Sequence, residues 1–306
     1  MTGLIIKHTG SNYTVRTEDG NIYHVTIRGK LRLKDLKTTN PIAVGDRVLF
    51  DITDTNSGAI TEVLPRKNYI IRRSSNLSRQ AHILAANIDK VFLIVTLTKP
   101  ETRYEFIDRF LVTAEAYKIP VCIVINKIDL LDTENWQEEL EYFKYVYSGA
   151  GYEILEISAL HNINIDKIRE QMPGNISLFS GNSGVGKSAV INRIAPGLSL
   201  RTGEISKAHN KGMHTTTFYE MFEVDNGFII DSPGIKGFGL IDIEKEELSH
   251  FFPEIFKVSH KCKFGMCTHT HEPGCAVKEA VEEGLISESR YISYLKILEG
   301  DDGKYR

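Results

Sequence analysis

Eight consecutive residues, Gly181-Asn182-Ser183-Gly184-Val185-Gly186-Lys187-Ser188, fit the spacing G-x-x-x-x-G-K-S. Glycines so placed let a loop turn tightly enough for its backbone N–H groups to wrap a phosphate chain. A helix opening at the end of the loop adds the positive end of its dipole. The flanking sequence provides that setting, with an apolar strand over Ile176–Ser180 and a helix over Lys187–Ile194. In such a loop Lys187 reaches the β- and γ-phosphates and the Ser188 hydroxyl ligates Mg²⁺.

A second cluster selects the base. Asn126-Lys127-Ile128-Asp129 stands at the carboxyl end of the apolar run Val121–Ile125, where α/β folds bind ligands. A carboxylate at Asp129 accepts from both N1–H and the exocyclic amine of guanine, a pairing that adenine does not offer. Asn126 can bond the Hoogsteen edge, and the Lys127 stem can cover the base face. Ser158-Ala159-Leu160 ends the next strand and resembles the element whose backbone N–H meets guanine O6. The three motifs together favour guanine.

Asp231-Ser232-Pro233-Gly234 matches D-x-x-G after the strand Phe228–Ile230. Asp231 is expected to hold Mg²⁺ through water, and the Gly234 N–H to sense the γ-phosphate. Upstream, a polar loop over 203–217 ends in His214-Thr215-Thr216-Thr217, and Thr216 is the threonine chosen to close the magnesium shell. Ile235 follows Gly234 where many small GTPases carry the glutamine that orients the attacking water. An isoleucine has no group for that task. The water must be oriented by another residue, with His214 the nearest candidate by motif, or by a partner.

These motifs run base, phosphate, switch (126, 158, 181, 215–217, 231), whereas the usual order begins at the phosphate loop. The expectation is a GTP-binding, GTP-hydrolysing chain whose core is circularly permuted, with residues 167–175 joining the former ends. Permutation is tolerated because domain termini often lie close together at the surface.

A third cluster is metal-ligating. Cys262-x4-Cys267-x-His269-x5-Cys275 offers three thiolates and an imidazole, a closed tetrahedral set suited to structural Zn²⁺, with His271 and then His260 as rival ligands. The remaining cysteine, Cys122, lies inside an apolar strand. The metal should stabilise a domain too small to fold well alone.

Elements must position these groups. Asn12–Thr17, Ile22–Ile27, Arg47–Ile52 and Ala59–Leu64 read as short strands, and about five such strands close most simply as an OB-type barrel. Strands and helices then alternate. Asp89–Leu97 and Val121–Ile125 are buried strands, Phe106, Phe110 and Ala114 mark one helix, and Trp136, Leu140, Phe143 and Tyr147 mark another. Asp225-Asn226-Gly227 predicts a hairpin turn. The expected architecture is multidomain: an N-terminal OB-type β-barrel over 1–68 that binds RNA, a central α/β P-loop GTPase domain over 69–240, and a small helical zinc-binding domain over 241–306.

Composition narrows the setting. The 306 residues are 42% hydrophobic and 25% charged, with a net charge of −3, so any nucleic-acid surface must be local. Thr26–Lys34 and Pro65–His82 are basic stretches without acids, readable either as solvated faces or as phosphate-contacting surfaces. No apolar stretch approaches the roughly 20 residues of a membrane span, and no leader is seen, so a cytoplasmic monomer is expected.

With barrel, permuted core and Cys/His cluster in this order, the chain resembles, over essentially its whole length, the RsgA (YjeQ/YloQ) family of GTPases. The most specific points of likeness are Gly212-Met213-His214-Thr215-Thr216-Thr217, the phosphate loop and the cysteine motif. The resemblance implies a partner, the maturing small ribosomal subunit with its rRNA. It also implies a catalytic role for His214, and it favours His269 among the candidate ligands. Two competing readings are a GTPase for another RNA target and an RNA-binding scaffold that holds GTP with little turnover.

Overall fold

The structure, a computed structural model, describes residues 1–27, 42–73, 81–198, 220–231 and 243–300; the side chains of 71–73, 81, 82 and 231 fall outside that description. Five strands close a barrel in the order β1-β2-β3-β5-β4: β1 (Thr2–Thr9), β2 (Asn12–Arg16), β3 (Ile22–Ile27), β4 (Arg47–Asp54) and β5 (Ser57–Val63). The β3–β5 pair is parallel, and this order is that of an OB-type barrel. Period-two alternation sends Ile5, Tyr13, Val15, Val25, Val48, Phe50 and Ile60 into one core. Strand β1 was not legible from pattern. Leu4-Ile5-Ile6 breaks the alternation, and a register shift between Ile5 and Lys7 absorbs the extra apolar residue.

The basic stretch 65–82 is more than a linker. It forms β6 (Tyr69–Arg73) and leads into β7 (Ala81–Ala86), an antiparallel pair. The Asn68 side-chain amide closes its base by bonding Ile88 N and O, both at 2.8 Å. Two of its basic side chains are committed to acids. Arg66 is bidentate on buried Asp46 at 2.6 Å for each bond, and Lys67 pairs with Asp89. The phosphate-contacting reading therefore does not hold for Arg66, whose side chain is only 8% exposed.

The strand–helix alternation follows as β8 (Lys90–Val95), α1 (Tyr104–Ala116), β9 (Val121–Ile125), α2 (Glu134–Gly149), β10 (Glu153–Glu156), α3 (Asp166–Arg169), β11 (Ile176–Ser180), α4 (Lys187–Ile194), β12 (Met221–Val224) and β13 (Gly227–Asp231). Strands β9 and β10 run parallel, as do β11 and β13, and β12 returns antiparallel to β13. The β12–β13 turn is the predicted one. Asp225 and Asn226 take φ of 48° and 62°, the left-handed pair of a two-residue hairpin. A 3₁₀ turn over Lys245–Phe251 leads to α5 (Pro253–Ser259), α6 (Ala276–Glu282) and α7 (Glu288–Leu298).

The chain divides into two compact units. One comprises Met1–Val91, Asp166–Ser180 and Ser188–Gly237, and holds the barrel, β6–β7 and the strands in order β11-β13-β12. The other comprises Phe92–Ile165, Gly181–Lys187 and Phe238–Arg306, and holds β10-β9 with most of β8, α1, α2 and the C-terminal helices. Within this second unit Val112 of α1 shares a core with Leu248, Phe252, Ile255, Val277 and Tyr294. The C-terminal helices thus bury their apolar faces against α1 as well as against each other.

Candidate nucleotide site and metal centre

Every residue of β9 is buried, so the strand is fixed on both faces and delivers Asn126, itself 3% exposed, at its carboxyl end. Lys127 then adopts a left-handed φ of 67° and starts the 3₁₀ turn Ile128–Leu130. The Asn126 amide joins three segments: its Nδ2 donates to Val185 O at 2.8 Å, and its Oδ1 accepts from Ala159 N at 3.0 Å. Among the described residues this uses one of the two Nδ2 protons. The N–H of Ala159 serves Asn126 here. The Lys127 ammonium donates to Lys99 O at 2.5 Å and Gly184 O at 2.8 Å, which stretches its stem along the loop.

Asp129 is oriented from one side. Its Oδ1 accepts from Ser158 Oγ at 2.5 Å, and its Oδ2 lies 3.9 Å from the imidazole of His161. Ser158 in turn accepts from His161 N at 3.2 Å, and the turn is closed by Ile163 N donating to Ser158 O at 2.9 Å. Sequence motifs thus fix a carboxylate beside a backbone turn, with one carboxylate oxygen already positioned.

The phosphate loop is shaped by what glycine lacks. Gly186 has φ of 94°, and a Cβ there would overlap the Asn126 side-chain amide; a Cβ on Gly181 would overlap the Ile94 carbonyl. Val185 is fully buried beneath the loop, Asn182 and Ser183 form its rim, and Lys187 Nζ spans it to Gly181 O at 3.2 Å. Helix α4 opens at Lys187, with Ser188 its second residue. Asp231 is the last residue of β13. His214, Thr216 and Gly234 lie outside the described residues.

The cysteine motif closes on itself. Ligand atoms of Cys262, Cys267, His269 and Cys275 all lie within 4.8 Å of one another, with His269 Nδ1 at 3.6 Å from Cys262 Sγ and 3.5 Å from Cys275 Sγ. Neither His260 nor His271 belongs to this group, and His271 Nδ1 instead meets Thr270 Oγ1 at 2.9 Å. The chemistry fits a metal cation. Burial, with the neighbouring Cys275 and Cys262 thiols, pushes the Cys267 thiol up to about 12, so the group ionises only around a compensating positive charge. Burial also lowers His269, which favours the neutral, ligating imidazole.

Several supporting residues carried no motif. Glu272 braces the ligand loop by accepting from Thr268 N, Thr268 Oγ1 and Thr270 N at 2.7, 2.6 and 3.0 Å. Against a cost of burial, these bonds hold its carboxyl down at about 2. Tyr291 and Tyr294 donate to the carbonyls of His269 and Thr268 at 2.6 and 2.8 Å. Such contacts span two to 26 residues, and only Thr268-x-Thr270-x-Glu272 offered a local signal.

Known proteins resemble the chain along its length. A family model described as RsgA GTPase matches residues 63–241, and one described as RsgA N-terminal domain matches residues 2–60. A relative in Bacteroides thetaiotaomicron, named small ribosomal subunit biogenesis GTPase RsgA 2, is 57% identical across 100% of this chain and 99% of its own length. A Christiangramia forsetii relative named small ribosomal subunit biogenesis GTPase RsgA is 51% identical, covering 100% and 98%. The crystal structure of YjeQ from Thermotoga maritima superposes with a TM-score of 0.82 at 39% identity, covering 99% of both chains. That of YloQ, a circularly permuted GTPase, gives 0.77 at 27% identity, covering 98% and 94%.

Proposed function

The chain belongs to the RsgA GTPase family, and from that premise we propose how its residues carry out GTP hydrolysis in maturation of the small (30S) ribosomal subunit. The observation that carries this reading is the Asp129 carboxylate, oriented by Ser158 and tied through Asn126 to the phosphate loop.

Asp129 reads the guanine N1–H and amine, while Lys127, Asn126, Ser158 and Ala159 border the base. Gly181 through Ser188 hold the phosphates, with Lys187 neutralising charge at the β- and γ-oxygens. Ser188 and Thr216 would ligate Mg²⁺, with Asp231 reaching it through water and Gly234 contacting the γ-phosphate. The ion supplies further charge neutralisation when bound. Water attacks the γ-phosphorus, the bond to the β–γ bridging oxygen breaks, and GDP and phosphate leave. Because Ile235 offers no polar group, His214 orients that water. Cys262, Cys267, His269 and Cys275 would hold one Zn²⁺, which would serve a structural rather than a catalytic role.

Functionally the chain divides into an RNA-binding barrel (1–68), the GTPase core (69–240) and the zinc-binding segment (241–306). It acts as a cytoplasmic monomer, cycling between GTP and GDP on the subunit and its rRNA. Among the described residues no helix is long and apolar enough to cross a membrane. Phosphate release measured against small-subunit concentration tests the proposal. The wild type should be slow alone and strongly stimulated, and His214→Ala should bind GTP and subunit yet lose most of the stimulation. Full stimulation of His214→Ala would reassign the water to another group. No stimulation of the wild type would leave the scaffold reading in place.

A further inference from the structure

Arg290 is completely buried in α7, where a cation must find all its partners inside the fold. Its guanidinium donates to the two Glu254 oxygens at 2.7 and 3.2 Å and to Asp108 Oδ1 at 2.8 Å, and lies 4.6 Å from the Phe252 ring centroid. Tyr147 donates to the same Asp108 oxygen at 3.0 Å. Helices α1, α2, α5 and α7 therefore meet around one buried charge.

The helices of this cluster lead to both candidate centres of the second unit. On one side, the same helix α7 carries Tyr291 and Tyr294, which hold the carbonyls of His269 and Thr268 in the ligand loop. On the other, α1 begins directly after the segment whose Lys99 carbonyl fastens Lys127 and whose Pro100 abuts Gly184 of the phosphate loop. Lys296 to Glu105, at 3.1 Å, ties α7 to the first turn of α1 a second time. A buried charge cluster is either made or broken, because an unpaired carboxylate in that setting is strongly disfavoured. Such two-state contacts carry coupling between sites.

We propose that α7 links the two centres thermodynamically: metal held by Cys262, Cys267, His269 and Cys275 tightens nucleotide binding at the phosphate loop, and nucleotide tightens metal binding. The linkage rests on the site assignments proposed above. By reciprocity the two effects are equal, and couplings of this kind run from about fivefold to about a hundredfold.

The test uses the full-length chain loaded with zinc. Zinc affinity is measured by competition with a chromogenic chelator, with and without saturating GDP. GDP affinity is measured by titration of a fluorescent GDP into zinc-loaded and zinc-stripped protein. GDP should tighten zinc, and zinc should tighten GDP, each by about tenfold. The double variant Tyr291→Phe, Tyr294→Phe keeps every proposed ligand and should still bind both, but with the mutual effect reduced toward unity. Binding of both ligands with less than a twofold mutual effect would overturn the coupling, as would undiminished coupling in the double variant. Failure of the wild type to bind zinc or GDP would overturn the site assignments and the coupling with them. If stripping unfolds the chain, the chelator competition on the loaded protein still decides the matter.

Discussion

The Asp129 carboxylate, proposed to read guanine, is restrained by its neighbours before any ligand arrives. Ser158 Oγ donates to one oxygen of a carboxylate that is 14% exposed, which restrains its rotation and leaves the other oxygen near His161. Replacing Asp129 by Asn exchanges an acceptor for a donor facing the exocyclic amine of guanine. Loss of charged hydrogen bonds costs about 1.5–3 kcal/mol each, so GTP binding should weaken at least tenfold. Xanthine nucleotide, which carries a carbonyl at that position, should gain. Competition among GTP, ATP and XTP for the Asp129→Asn chain measures this. An unchanged preference for GTP would remove Asn126–Asp129 from the base pocket.

The phosphate loop is the element most legible in the sequence, because its constraint is local. Each glycine answers a steric demand within a few residues, and the pattern prints that demand directly. Gly186→Ala tests it. A non-glycine residue in left-handed backbone costs roughly 1–2 kcal/mol, and the new methyl would also displace the Asn126 amide that holds Val185 and Ala159. Fluorescent-GDP binding should fall by at least an order of magnitude while the circular dichroism of the chain stays that of the wild type. The Asp225-Asn226 turn and the cysteine spacing were readable for the same reason. Strand β6 was hidden because its basic residues mask the apolar alternation, and Arg66 reads as surface until Asp46, 20 residues away, is seen to claim it. Arg290 was the least legible residue of all. A buried arginine is understood only through partners 36 and 182 residues distant, and no local window contains them.

At the scale of the molecule, sequence segments and folded units differ. Residues 241–306 carry a Cys/His cluster able to hold a metal, yet their apolar core includes Val112 and their buried arginine needs Asp108. An excised 241–306 fragment should bind zinc through its four ligands and still lack a fixed fold. Its amide NMR spectrum should be dispersed only around the ligand loop, with α7 averaging between conformations. A fully dispersed spectrum would make the segment an independent folding domain.

The distance between Asp108 and Arg290 also sets a clock. At about 5–20 residues per second, the 182 residues that separate them take roughly 9–36 s to synthesise. Throughout that interval the nascent chain carries an acidic residue at a position destined for the interior, with no cation to meet it. Helices α1 and α2 therefore have reason to stay loosely packed until the last helix emerges. A chain cut short before Arg290 should leave Asp108 buried without its cation, and limited proteolysis of such a truncation should cleave α1 and α2 faster than in the full-length chain.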